Sequence, residues 1–110
     1  AAVNRTRTPW VIMAGHRPFY IDSTNWDLPD GDQPVAEAMR RSLEDLLYQH
    51  RVDLIFGAHH HSYQRSCPVY KGECREAPTG YAGPVVVNLG MGGAGNSRNV
   101  HWVRPRIWRF

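Results

Sequence analysis

The sequence predicts an α/β fold built on a parallel sheet, and three observations carry that expectation. Residues 10–15 (Trp-Val-Ile-Met-Ala-Gly) are a continuous apolar run ending on glycine, the pattern of a strand buried on both faces. Residues 34–50 repeat apolar side chains at helical spacing, and residues 52–56 (Val-Asp-Leu-Ile-Phe) form a second short run ending at Gly57. Strand, helix and strand in that order make a βαβ unit, with parallel strands and a right-handed crossover.

The first run follows Pro9 and stops at His16-Arg17-Pro18. The loop over 17–33 holds Pro18, Asn25, Pro29, Asp30 and Gly31. It also carries Phe19, Tyr20 and Trp26, too many aromatics for a linker, so it is expected to pack against the domain. Asp32 is placed to cap the helix, and Pro34 is tolerated in its first turn. Val35, Met39, Leu43, Leu46 and Leu47 make the apolar stripe, with Arg40, Arg41, Glu44 and Asp45 mostly off it. A third β-type run over 84–90 leads into Met91-Gly92-Gly93-Ala94-Gly95, and no internal repeat or low-complexity linker appears.

At 110 residues the chain is at most one domain. Its 42% hydrophobic and 21% charged residues exclude a collagen-like, coiled-coil or wholly disordered protein. No apolar run approaches the ~18 residues of a membrane helix. The net charge of +3 comes almost wholly from arginine, Lys71 being the only lysine. Recognition of an anionic partner would explain that bias, but GC-rich codon usage is the preferred reading. Cys67 and Cys74 flank a turn-rich stretch (CPVYKGEC), compatible with a local disulfide in an oxidising compartment or with two free thiols. The start, AAVNRTRTPW, has neither an apolar signal core nor an initiator methionine, so the true N-terminus is expected upstream.

The chemistry gathers at the strand ends. His16 follows the first strand, and His59, His60 and His61 follow the second. Sites in open α/β sheets form beyond the carboxyl ends of parallel strands, so both strands deliver histidines to one rim. In an extended segment His59 and His61 project to one side and His60 to the other. A lone histidine after a strand is ordinarily a hydrogen-bonded loop residue. Three imidazoles from two strand ends instead point to a transition metal.

Gly15-His16-Arg17-Pro18-Phe19-Tyr20 and Ala58-His59-His60-His61-Ser62-Tyr63-Gln64-Arg65 resemble the last two metal-binding motifs of the purple acid phosphatases, members of the metallophosphoesterase superfamily. The resemblance spans residues 9–96. It implies part of a β-sandwich flanked by helices, in four α/β/β/α layers, here a βαβ unit plus further strands. Residues 1–83 would be the C-terminal portion of the catalytic domain, and residues 84–110 the start of the closing region with an atypical basic tail. The resemblance further implies a dinuclear centre of ferric iron and a divalent Zn, Mn or Fe ion, hydrolysing phosphate monoesters with a metal-activated hydroxide. His16 and His59 would bind the divalent ion and His61 the iron. Tyr63 and Arg65 would support the ligands from behind, and a secreted or vacuolar/lysosomal location follows.

The chain departs from the family pattern in places. Ala58 stands where the family has glycine, with Gly57 one place earlier, and Gln64 replaces a glutamate. The loop over 21–32 has no histidine, which leaves the general acid unassigned; Asp22, Asp27 and His60 are the candidates. The nine residues before Trp10 contain no aspartate, so the family's first three motifs are expected to lie outside this sequence. The isolated polypeptide is accordingly expected to have little phosphatase activity.

Two other classes of function compete. One is a non-catalytic zinc-binding module built from His16, His59 and His61. The other is a small basic nucleic-acid binder resting on the tail, NVHWVRPRIWRF, where arginines interleave with Trp102, Trp108 and Phe110. The glycine-rich run over 90–95 lacks the lysine and Ser/Thr of a phosphate loop and no clear helix follows it, so it reads as structural. The partner expected overall is a phosphate monoester, with neither a specific nucleic acid nor a membrane.

Overall fold

In the computed structural model, which describes residues 3–22, 33–97 and 106–109, the elements follow in the order β1 (Ile12–Ala14), α1 (Gln33–Gln49), β2 (Leu54–Gly57), β3 (Tyr63–Tyr70), β4 (Glu73–Cys74) and β5 (Val85–Leu89). They build one mixed sheet in the order β1-β2-β5-β3-β4. β1, β2 and β5 run parallel, with Met13 opposite Ile55 and Ile55 opposite Val86. β3 returns antiparallel along β5, and β4 closes a hairpin on β3. The expected βαβ unit is therefore present, and the strand with the glycine-rich exit adds to it on the far side of β2.

The strands are not buried on both faces as the apolar runs predict. Met13, Ile55 and Val86 form a row facing the core, whereas Ile12, Leu54 and Val85 form a row on the opposite face. Trp10 is 66% exposed and Ile12 54%. The core face is covered by Phe19, Tyr20 and the helical side chains Met39, Leu43 and Leu47. A continuous apolar run reports two covered faces, but the described residues lay a helix over only one. The other face bears a cavity of about 500 Å³ lined by Trp10, Leu54, Arg65, Tyr81, Val85 and Val87. β2 also begins later than the apolar run. Asp53, just before it, accepts hydrogen bonds from the Val11 amide (2.7 Å) and the Arg5 guanidinium (2.5 Å).

The helix meets the sheet along a stripe slightly rotated from the expected one. Ala36 is fully buried and Met39, Leu43 and Leu47 continue its line, whereas Val35 and Leu46 are exposed. Spacings of three, four and four keep those residues in register; Val35 and Leu46 each sit one residue, about 100° of rotation, off it. Asp32, expected as the cap, lies outside the described residues. At the other end Arg51 takes φ 51°. The Val52 amide there reaches the Leu47 carbonyl and the Arg51 amide the Tyr48 carbonyl, both at 3.0 Å. This is a Schellman closure with arginine in the usual glycine position. Arg40 ties the helix to the segment after β1, donating to the Phe19 carbonyl at 2.8 Å and lying 4.5 Å over the Tyr20 ring.

Cys67 and Cys74 are joined by a disulfide that staples β3 to β4. The far end of the chain is also part of the sheet. Ser66 bridges Trp108, the Cys67 amide donates to the Ile107 carbonyl at 2.7 Å, and the Arg109 amide donates to the Arg65 carbonyl at 2.6 Å. Ile107 and Trp108 are core residues. The basic tail is thus anchored by its aromatic and aliphatic side chains within residues 106–109, while residues 98–105 lie outside the description. Among the described residues no helix is long and apolar enough to cross a membrane.

Candidate metal centre

The ladder between β1 and β2 continues past both strands. The Gly15 amide donates to the Phe56 carbonyl and the Ala58 amide to the His16 carbonyl, each at 3.0 Å. These bonds bring the two post-strand segments side by side. Gly57 is required where they meet, since a Cβ there would lie 2.6 Å from Asn88 Oδ1 and 2.9 Å from the Pro18 Cα.

Residues 58–62 then turn rather than extend. His59 adopts φ 60°, the His60 amide donates to the Ala58 carbonyl at 2.6 Å, and the Ser62 amide donates to the His60 carbonyl at 2.8 Å. Two tight i→i+2 turns replace the expected extended segment. The side chains still separate as that expectation has it, for a different reason. His60 is 1% exposed, with Nδ1 2.8 Å from Ser62 Oγ, while His59 and His61 remain half-buried at the rim.

His16 Nε2 and His59 Nδ1 are 2.9 Å apart, their rings edge-to-face at 80°. Two imidazole nitrogens this close can share one ion whose bonds to nitrogen are about 2.0–2.1 Å long, and imidazole suits Zn and Fe alike. The donor pair therefore fits one position of a metal centre. His61 is held elsewhere, its Nδ1 2.6 Å from the Gly95 carbonyl. Among the described residues no three His, Cys, Asp or Glu side chains are arranged to hold one ion. Of the three imidazoles, His16 and His59 meet, and His61 hydrogen-bonds the glycine-rich segment.

Asp22 is fully buried, its amide donating to Gln64 Oε1 at 3.2 Å; Asp27 lies outside the described residues. Tyr63 and Arg65 alternate with buried Gln64 and Ser66 along β3 and face the open side of the sheet. Arg65 lines the cavity there with Trp10. Gln64 sits beneath the rim instead. Its Oε1 accepts from the Asp22 amide and Asn88 Nδ2 (3.4 Å), and its Nε2 donates to Ser62 Oγ at 3.0 Å. A carboxylate at this position could only accept from the Ser62 hydroxyl, whereas the Gln64 amide donates to it without carrying a charge.

Several contributors escape sequence reasoning. Asn88 donates to the Tyr20 carbonyl at 2.6 Å from inside the apolar run of β5; a lone amide among valines was its one visible signal. Gly95 and Ser97 reach His61 from more than thirty residues away, and nothing in their local sequence marks them. Nearby, burial and the neighbouring Glu44 carboxylate hold the Tyr20 hydroxyl well above its ordinary pKa, so it stays a donor, 2.5 Å from Glu44.

Residues 2–63, more than half of the chain, match the family model for calcineurin-like phosphoesterases. Purple acid phosphatase 13 of Arabidopsis thaliana is 38% identical over 99 residues, covering 90% of this chain and 16% of the relative. Acid phosphatase type 7 of Homo sapiens is 37% identical over 116 residues, covering 96% of this chain and 26% of the relative. Among solved structures, the purple acid phosphatase PPD1 from yellow lupin seeds superposes with a TM-score of 0.76 at 27% identity, over 90% of this chain and 18% of that one. This chain spans about a quarter or less of the length of these relatives.

Proposed function

We propose that this chain, which belongs to the calcineurin-like phosphoesterase family, carries the histidine side of the dinuclear centre of a purple acid phosphatase-type phosphomonoesterase. The observation that carries the proposal is the approach of His16 Nε2 to His59 Nδ1, 2.9 Å apart at the ends of two parallel strands. In this reading the pair holds the divalent ion (Zn, Mn or Fe) and His61, through Nε2, holds ferric iron. When bound, such a pair of ions clamps a phosphate ester and supplies a hydroxide nucleophile.

The chain's own residues orient those donors. The ladder bonds at Gly15 and Ala58 fix the separation of His16 and His59. The part-buried hydrogen bonds among Gln64, Ser62 and His60 hold the turn from below. Asp22 and His60 are both buried, and the general acid is left unassigned. The similarity to human acid phosphatase type 7 supports a phosphate monoester as substrate, and the disulfide supports an oxidising, secretory destination.

Expression of the chain with iron and zinc, followed by metal analysis and p-nitrophenyl phosphate hydrolysis at acid pH, tests the reading. Retained metal that disappears in a His16→Ala, His59→Ala double variant, with little turnover from the 110-residue chain alone, is the expected result. Metal content unaffected by the double variant would sink the assignment of the pair, and robust turnover would overturn the proposal that the chain holds only one side of the centre.

A further inference from the structure

We propose that the glycine-rich turn after β5 is the positioning element for His61: it sets that ring's tautomer and leaves Nε2 as the free lone pair. The inference rests on the metal reading of His61 for its purpose, but not for its geometry.

Three hydrogen bonds from one short segment converge on this residue. The His61 amide donates to Ser97 Oγ at 2.9 Å, the Ser97 amide donates back to the His61 carbonyl at 3.0 Å, and His61 Nδ1 lies 2.6 Å from the Gly95 carbonyl. The first two clamp the backbone. The third decides the ring's chemistry, because a carbonyl oxygen only accepts. Nδ1 must carry the proton, and a neutral ring then has its lone pair on Nε2. Ligating histidines are commonly oriented in this way, the non-ligating N–H being given to a carbonyl or carboxylate.

The start of the same turn is pressed against the histidines. A Cβ on Gly90 would collide with the His60 carbonyl and lie 3.1 Å from the His61 Cα, so only glycine allows the segment to approach. Gly90 brings the turn in, Ser97 locks it to the His61 backbone, and Gly95 presents the acceptor. A run that resembles a degenerate phosphate loop in sequence thereby has a different task.

The test is an imidazole 15N correlation spectrum of the labelled chain at a pH where the ring is neutral, with His61 assigned by the signals lost in H61A. The wild-type ring is expected to carry its proton on Nδ1. Ser97→Ala should give a mixture of tautomers, and Ser97→Thr, which keeps the hydroxyl, should restore the single form. Zinc added to the wild type should perturb His61 Nε2, with affinity about 10-fold weaker in S97A. A wild-type proton on Nε2, or an S97A spectrum identical to the wild type, would overturn the proposal. If S97A loses its dispersed amide spectrum, the wild-type tautomer decides alone. A ring protonated on Nδ1 that ignores zinc keeps the positioning role and removes the metal reading of His61.

Discussion

His16 and His59 lie 43 residues apart in the chain, yet their Nε2 and Nδ1 atoms stand 2.9 Å from each other. The proximity depends on an unusual backbone, since His59 holds φ 60° in a turn closed by the His60 amide on the Ala58 carbonyl. Side-chain-bearing residues pay about 1–2 kcal/mol in this region relative to the right-handed one, and such conformations concentrate at functional positions.

The cost of that conformation is measurable by comparing two replacements of His59. Both H59A and H59G remove the imidazole, but glycine accepts positive φ and alanine does not. After glycine's greater unfolded-state entropy is offset, H59G is expected to be more stable than H59A by about 0.5–1 kcal/mol. Urea midpoints at equal m-value read the difference. Equal stability of the two variants would show that the turn is not a source of strain.

The Cys67–Cys74 disulfide spans a sequence separation of 7 and ties the β3–β4 hairpin. Closing a loop this short in the unfolded chain contributes roughly 2–3 kcal/mol by chain-entropy reasoning. The double variant Cys67→Ala, Cys74→Ala should lose about that much, and reductant should bring the wild type to the same urea midpoint. Insensitivity of the wild type to reductant would show the bridge to be energetically idle.

Tyr81 offers a test by alkali. Burial, followed by the nearby Tyr48 and Asp53, pushes its hydroxyl up to about 12 from an ordinary 10.0, and the hydroxyl donates to the Val52 carbonyl at 3.0 Å. The folded protein therefore holds this proton more tightly than the unfolded chain. The resulting stabilisation is complete below pH 10 and is lost as pH rises towards 12. Tyr81→Phe should flatten that part of the stability profile while losing the hydrogen bond at neutral pH. An unchanged slope between those pH values would show that Tyr81 does not drive the alkaline loss.

How much of this was legible in the sequence follows from the range of each interaction. The βαβ unit was visible because apolar periodicity over 10–15, 34–50 and 52–56 is a local record of burial. The open face was not, because the continuous apolar run containing Trp10 and Ile12 predicts cover on both faces. His16 and His59 were readable as strand-end residues, but their contact requires the ladder beyond Ala14 and Gly57. The turn at His59 is a single positive dihedral, which only a few per cent of non-glycine residues adopt. The grip of Gly95 and Ser97 on His61 is non-local, and no periodic pattern announces it.

The tail shows the same limit from the other side, and it yields the sharpest stability test. Its alternating arginines and aromatics suggested exposed rings available to a nucleic acid, but Trp108 is 4% exposed and packs in the core beside Ile107. Truncating so large a buried side chain costs about 3–5 kcal/mol, so Trp108→Ala should be severely destabilised. Trp108→Phe should behave differently. Among the described residues the buried indole Nε1 has no hydrogen-bond partner, so replacing it removes an unsatisfied donor and offsets part of the lost volume. That variant is expected within roughly 1 kcal/mol of the wild type. Urea unfolding of the two variants distinguishes an anchor from a free ligand-binding ring, for a free ring would leave W108A as stable as the parent.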